Sequence, residues 1–356
     1  MNIHEFLTPP AEIARREGPY NKIVLSSRVR LARNLKAFAF PGWAKKAERI
    51  KALDLIRPAV ESLPPMADRF SESMENLSVL DKNILVERHL ISREHAAKNA
   101  GSGLVVNRDE SLCVMINEED HMRMQALRPG LQMKQAWQAI DQVDSKLERK
   151  LEYAFSPELG YLTACPTNVG TGIRVSAMLH LPGLVLAEQI NQIIQAVNKL
   201  GLAVRGLYGE GTEALGNVFQ VSNQMTLGET ETDIVERLNK VLAQIIEHEE
   251  NARSLLLEKK PKAVYNHIGR AYGILANAHS ISSKETLNLL SLMRLGVDLV
   301  LFPDLDRWRV DELFVTTQPA HLQKLHTEKL SAEERDLLRA DMLREHLREV
   351  SRPRPK

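Results

Sequence analysis

The chain has 356 residues, with 47 Lys+Arg against 46 Asp+Glu and a formal net charge of +1, which excludes nucleic-acid binding by bulk basic charge. Apolar residues at 44% and charged residues at 26% exclude a disordered chain, and the length predicts two domains of unequal size. No apolar run approaches the ~18 residues of a membrane span, and the opening MNIHEFLTPP lacks the basic start and apolar stretch of a secretion signal. The two cysteines, Cys113 and Cys165, fit no CxxC or zinc framework, so a reducing cytoplasm is the expected compartment.

In chain order, brief apolar runs at 23–25, 104–106 and 113–116 predict strands. Residues 174–181 alternate more clearly. Val175, Ala177, Leu179 and Leu181 fall on one face, Arg174, Ser176, Met178 and His180 on the other, and Pro182 with Gly183 ends the strand. Three apolar stripes predict helices: Ala136 to Leu151, Leu186 to Val197, and Ile234 to Ile245. A sheet with helices packed on it follows, an α+β fold. The polar segment 258–262 breaks helical periodicity, and beyond it strand-like alternation almost disappears. Residues 283–300 and 331–350 read as helices, the second opened by a Ser331–Glu334 capping box. We therefore expect a larger unit over residues 1–254 and a helical one over 255–356.

Four segments carry chemistry. In SSRVRLAR (26–33) an extended backbone points Arg28 and Arg30 to one side, about 7 Å apart by strand rise. Two fixed guanidiniums at that spacing suit a polyphosphate, although alone the segment reads as a solvated basic edge strand. NEEDHMR (117–123) follows an apolar run. If it stays extended, Glu119, His121 and Arg123 share a face opposite Glu118 and Asp120. Alone it reads as a polar turn; functionally it offers a carboxylate that orients a cationic substrate or takes its proton. In CPTNVGTGIR (165–174), Gly170 and Gly172 free the backbone to approach a ligand, and nearby arginines would make Cys165 reactive; a buried structural cysteine beside a turn is the competing reading. The segment is neither a Walker A loop nor GxGxxG. RGLYGEGTE (205–213) holds the Glu210 carboxylate among glycines, or is an ordinary mobile loop.

Together these segments supply arginines, two separated carboxylates, a thiol and glycine loops. The set suits phosphoryl transfer onto a cationic nitrogen. Arginines neutralise the phosphates, and carboxylates grip a guanidinium whose pKa above ~12 makes it a poor nucleophile until it is oriented and relieved of a proton.

In this order and identity, SSRVRLARN, NEEDH, CPTNVGTGIR and RGLYGEGTE resemble the signature of the phosphagen (ATP:guanido) kinases, over about residues 20–250. Within that superfamily the chain is most similar to the bacterial protein-arginine kinases. The resemblance implies a catalytic domain with an antiparallel sheet flanked by helices, followed by a helical C-terminal domain. It assigns nucleotide phosphates to Arg28, Arg30, Arg123, Arg174 and Arg205, and nucleotide contact to His89. The surrounding ATP-binding set it implies is Ser26, Ser27, Val29, Val175, Ser176, Ala177, Met178, Gly206, Leu207, Tyr208 and Gly209. Glu119 matches the catalytic carboxylate, Glu210 the second carboxylate clamping guanidinium, and Cys165 the reactive cysteine. The cysteine's implied role is positioning and electrostatics, because direct in-line transfer needs no enzyme nucleophile. Mg2+ would arrive with ATP, bound mainly by phosphates and waters, with no protein metal site.

Phosphagen kinases carry a helical domain ahead of the first motif, whereas 25 residues precede Ser26 here. The expected consequence is an open acceptor mouth that admits an arginine still attached to a protein. Arg335, Asp336, Leu337, Leu338, Arg339 and Ala340 fit the RDxxRA motif by which these kinases resemble phosphoarginine receptors. By residue chemistry alone this is a solvated helix with an Asp336–Arg339 pair, in which Arg335 and Arg339 share a face. The resemblance further implies a heat-shock repressor, a Clp-type chaperone–protease and a kinase activator as partners, and homodimers through the C-terminal domain. Two alternatives stand beside ATP-dependent phosphorylation of protein arginine: a phosphagen kinase for free arginine or another small guanidine, and a non-catalytic phosphoarginine-binding adaptor.

Overall fold

A computed structural model describes Ile3, residues 18–206 and residues 214–354. The strands are β1 (Val24–Arg33), β2 (Arg69–Ser73), β3 (Gly103–Asn107), β4 (Leu112–Ile116), β5 (Met122–Pro129), β6 (Phe155–Ser156), β7 (Gly160–Tyr161), β8 (Ile173–His180), β9 (Leu202–Gly206) and β10 (Val218–Asn223). Eight of them form one sheet in the order β2-β3-β4-β5-β1-β8-β10-β9, while β6 and β7 make a separate hairpin. Every pairing is antiparallel, as expected for the α+β class.

Helices α1 (Lys46–Glu61), α2 (Val79–Glu87), α3 (Arg93–Ala96), α4 (Met133–Glu148), α5 (Pro182–Leu186), α6 (Ile190–Lys199) and α7 (Glu231–Lys259) surround the sheet. The stripes of α1, α4, α6 and α7 join Val29, Leu31, Val175, Ala177, Leu179 and Val221 in the main core, where each fully buried aliphatic side chain contributes roughly 1.5–3 kcal/mol. The stripe expected over 186–197 is two helices, because Glu188 takes φ 59° and ends the first. The stripe over 234–245 belongs to a far longer helix. α7 opens on a Thr230 cap and runs to Lys259; Lys260 (φ −137°) and then Pro261 break it.

From there the described chain is helical: α8 (Pro261–Asn277), α9 (Ser283–Asp298), α10 (Arg307–Thr316), α11 (Pro319–Lys324) and α12 (Ala332–Leu347). The Ser331–Glu334 capping box opens α12 as expected. These helices share a second core, which reaches the sheet through Leu25, Met178 and Val218. A buried polar joint reinforces that contact. From α9, Arg294 donates to Asp311 Oδ1 at 2.6 Å, to the carbonyls of Lys22 (2.7 Å) and Asn21 (2.9 Å), and to His180 Nδ1 at 3.0 Å. Burial and the facing guanidiniums of Arg294 and Arg253 hold His180 neutral, its pKa far below the usual imidazole value. Its Nε2–H then donates to Ser291 Oγ at 2.8 Å.

Candidate functional site

Strand alternation and register decide which side chains meet. Arg30 of β1 lies opposite Arg174 of β8 and Gln125 of β5. Ala32 lies opposite Arg123, and Arg28 opposite Ser176. Across β10, Gln220 pairs with Arg205 of β9. Direct cross-strand partners share a face, so the five arginines stand on the side of the sheet away from the main core. They line one cavity of about 570 Å³ together with His89, Glu94, Glu119, Asp120, Cys165, Thr167 and Asn168. Arg28 and Arg30, expected to share a side, do so.

Two of these guanidiniums are aimed by neutral groups, whereas Arg123 is paired with Glu118. Arg28 donates to Gln220 Oε1 at 2.9 Å and to Ser176 Oγ at 3.4 Å, and Arg174 donates to Ser222 Oγ at 3.3 Å. Burial, then the charges of Arg28, Arg123 and Arg174, push the Arg30 guanidinium well below its ordinary value, and its Nε finds no partner. Cations so crowded are stabilised by an incoming polyanion. His89, at φ 61° just after α2, is lowered to about 4 by burial and by Arg28, so it is a neutral ring at physiological pH.

The NEED segment is a turn between β4 and β5, not an extended strand; Asn117 takes φ 56°. The three acids therefore separate by role instead of alternating by face. Glu118 is buried and accepts from Arg123 Nη1 at 2.6 and 2.7 Å and from Ser92 Oγ. Burial raises its pKa, but Arg123 and Ser92 more than offset this and hold it below the usual carboxylate range. Asp120 is buried and bonded to Asn34 and to the Ala164 amide. Glu119 alone of the three is exposed, within the cavity. Partial desolvation, then Asp120 and Glu118, push its pKa up, which suits a proton acceptor.

Cys165 lines the cavity, half-buried, its Sγ 3.1 Å from Thr167 Oγ1. Gly172 lines the cavity, and both Gly170 and Gly172 are also required by packing. A Cβ on Gly172 (φ 66°) would lie 2.6 Å from Ala32 O, and one on Gly170 (φ 112°) 3.0 Å from the Leu227 backbone.

Several expected nucleotide residues point elsewhere. The period of two sends Val29, Val175 and Ala177 into the main core. Ser27 is buried in a structural link, donating to Gly130 O at 2.7 Å and accepting from Gln132 N at 2.9 Å. Ser26, Ser176 and Met178 surround a small recess beside Arg28 and His89. Gly206 lines the main cavity; Leu207, Tyr208, Gly209 and Glu210 lie outside the described residues. Reading the sequence passed over Gln220, Gln125, Ser92 and Glu94. Gln220 carries one sequence signal, as the lone polar residue in the short apolar run Val218-Phe219-Gln220-Val221.

In α12 the two arginines of RDxxRA do not share a solvated face. Arg339 is 1% exposed. It donates to Thr317 O and Ile281 O, each at 2.8 Å, and pairs with Asp336. Arg335 instead borders a second cavity, of about 1110 Å³, between α2, α3 and the C-terminal helices. Leu337 is exposed, Leu338 half-buried, and Ala340 sits in the second core. Among the described residues no three His, Cys, Asp or Glu side chains converge as a metal site, and no helix is long and apolar enough to cross a membrane.

Comparison with known proteins agrees with this geometry. Residues 54–252 match the family model "ATP:guanido phosphotransferase, C-terminal catalytic domain", and residues 261–356 match "Protein-arginine kinase McsB C-terminal domain". The chain is 46% identical over 331 residues to the protein-arginine kinase of Halothermothrix orenii, covering 93% of this chain and 95% of the relative. It is 48% identical over 328 residues to that of Syntrophomonas wolfei, covering 91% of each. In fold it is similar to a lombricine kinase (TM-score 0.57, 24% identity, 68% of this chain and 71% of that one). It is also similar to the duplicated taurocyamine kinase of Schistosoma mansoni (TM-score 0.58, 22% identity, 82% and 50%). A sheet that gathers five arginines in one cavity with a carboxylate of raised pKa, in a chain related over nearly its whole length to such enzymes, is that of a guanidino kinase: the chain belongs to the ATP:guanido phosphotransferases and, within them, to the protein-arginine kinase family.

Proposed function

We propose that the enzyme transfers the γ-phosphoryl group of ATP in line to a guanidinium nitrogen of an arginine side chain in a protein. The observation that supports this best is the shared cavity of Glu119 and the five arginines. Arg28, Arg30, Arg123, Arg174 and Arg205 would hold the phosphates, with His89 at the nucleotide. The acceptor nitrogen would face Glu119, with Glu210 as second clamp and Cys165 beside it. As the N–P bond forms and the O–P bond to ADP breaks, Glu119 takes the nitrogen's proton. Mg2+, when bound, would neutralise charge on the phosphates, held by them and by water. Arg30→Ala is expected to weaken ATP binding about 10–100-fold, since a charge-assisted hydrogen bond contributes about 1.5–3 kcal/mol. Calorimetric titration with ATP measures it; an unchanged Kd removes Arg30 from the phosphate site.

The functional reading itself is tested by incubating the enzyme with Mg-ATP and either free arginine or an unstructured protein. Phosphoarginine found by mass spectrometry at neutral pH, on protein and not on the free amino acid, is the expected result. Turnover confined to free arginine would make it a small-guanidine kinase, and none on either an adaptor. We also infer two units, residues 1–254 and 255–356, the second dimerising and carrying a phosphoarginine receptor at Arg335–Ala340. The described contacts add a route for such regulation. Val86 and Arg93 line both cavities, and Glu87 at the end of α2 accepts from Ala320 N and His321 N of α11 at 2.8 and 3.0 Å. Asp336→Asn is expected to abolish activation by added phosphoarginine while basal transfer in the remote cavity is retained; because Asp336 is the carboxylate paired with the buried Arg339, the variant is also expected to melt below the parent. A parent-like response in a titration with phosphoarginine would sink the receptor assignment. Partners of the kinds seen by resemblance, a heat-shock repressor, a Clp-type chaperone–protease and a kinase activator, fit a cytoplasmic enzyme that marks proteins.

A further inference from the structure

The end of β1, Arg33 and the residue after it, Asn34, meets both loops that carry chemistry. Asn34 is 1% and Asp120 3% exposed. Asn34 Oδ1 accepts from the His121 amide at 2.9 Å; its Nδ2 donates to Asp120 Oδ1 at 2.6 Å and to Leu162 O at 3.1 Å. The same Asp120 oxygen accepts from the Ala164 amide at 2.7 Å. One side-chain pair thus ties the chain just after Glu119 to the backbone of Leu162 and Ala164, just before Cys165. Its neighbour Arg33 extends the tie, donating to Thr171 O at 2.8 Å and to Asp144 Oδ2 at 2.6 Å, with its guanidinium 3.6 Å over the Tyr161 ring. Neither Asn34 nor Asp120 is needed to hold phosphate in the mechanism above.

We propose that Asn34 and Asp120 are positioning residues that set the distance between Glu119 and the Cys165 loop, and so the placement of the acceptor guanidinium between them. The inference rests on the assignment of transfer to this cavity. Glu119 sits on a turn with a free side chain, and the Cys165 loop has only short helical structure of its own. Backbone bonds close each loop at its base, Asn117 N to His121 O at 2.9 Å and Tyr161 N to Gly170 O at 2.8 Å, so what sets one tip against the other is the side-chain tie buried between them. Misplacing a reacting group by about 1 Å costs on the order of 100-fold in rate. The phosphate arginines stand on paired strands and do not depend on this tie.

The test compares Asn34→Ala, Asp120→Ala and Asp120→Asn with the parent on an unstructured protein substrate, recording kcat, the KM for ATP and the melting temperature. Asn34→Ala and Asp120→Ala are expected to lower kcat roughly 10–100-fold with the KM for ATP within about twofold. Asp120→Asn keeps an oxygen where both donors point, so it is expected to recover kcat to within roughly fivefold of the parent, the loss left by a neutral acceptor. A kcat for Asn34→Ala within twofold of the parent overturns the proposal. So does an Asp120→Asn variant as slow as Asp120→Ala, which would place the charge of Asp120 in the chemistry itself. If Asn34→Ala does not fold, the two Asp120 variants decide between them. A parent that phosphorylates no protein sinks the functional assignment instead, independently of the variants.

Discussion

Replacing Glu119 by Gln is expected to lower kcat by on the order of 10²–10⁴, the usual worth of a positioned general base, while ATP binding stays near the parent's. Glu119 stands apart from the phosphate arginines on the β4–β5 turn, so its loss leaves their geometry intact. It is also the one acid of the turn with no hydrogen-bonded commitment among the described contacts, since Glu118 is taken by Arg123 and Ser92 and Asp120 by Asn34 and Ala164. The raised pKa makes the pH dependence specific. As pH falls through that raised value Glu119 gains a proton and can no longer accept one, so kcat should fall on the acid side at a pH higher than for an unperturbed glutamate. The stability sign is the opposite. An acid whose folded pKa is raised stabilises the fold when protonated, and that contribution is lost as pH rises through the folded value. At neutral pH its charge is a cost, so Glu119→Gln should melt no lower than the parent. Rapid-quench transfer assays and nucleotide titration measure both. An active Glu119→Gln enzyme removes the base from its place.

The largest expected loss of stability follows Asp311→Ala. Arg294 is 1% exposed, with Asp311 as its shortest carboxylate contact and Asp298 at 3.6 Å. Removing one partner of a buried ion pair typically costs about 3–5 kcal/mol, because the remaining charge cannot be rehydrated in place. That is a large share of a total stability of about 5–15 kcal/mol. Because Arg294 also donates to Asn21 O and Lys22 O and to His180 of β8, the loss should be felt in the sheet as well as in the helices. Urea unfolding followed by circular dichroism checks this. A midpoint shift worth less than 1 kcal/mol would show that water reaches Arg294 when Asp311 is gone.

Sequence periodicity located α4 and α12 well, because each has one face in a core and one outside it, and it located β8 by its alternating residue types although both faces of that strand are largely buried. It misjudged 186–197, where Glu188 in a left-handed conformation splits one stripe into two helices, since a stripe records burial and not backbone continuity. It passed over helices whose stripes are interrupted, such as α11, a single turn and a half held to α2 through Glu87 and through a Lys324–Asp81 contact of 2.8 Å. In the site, the arginines of β1 were legible from alternation alone. That Arg174 and Arg123 join them was not, because register is set by pairings of residues some hundred positions apart.

What the amino-acid order determined by itself was local: alternation on strands, stripes on helices, caps, and which residue types stand next to each other in four motifs. These follow from the fixed periods of backbone geometry and need no partner. The tertiary structure alone decided that three adjacent acids take three different roles, that Arg339 turns inward while Arg335 borders a cavity, and that Asn34 meets Asp120 across 86 positions of chain. Burial and long-range pairing set charge, orientation and protonation, and these arise only where distant segments exclude water from one another.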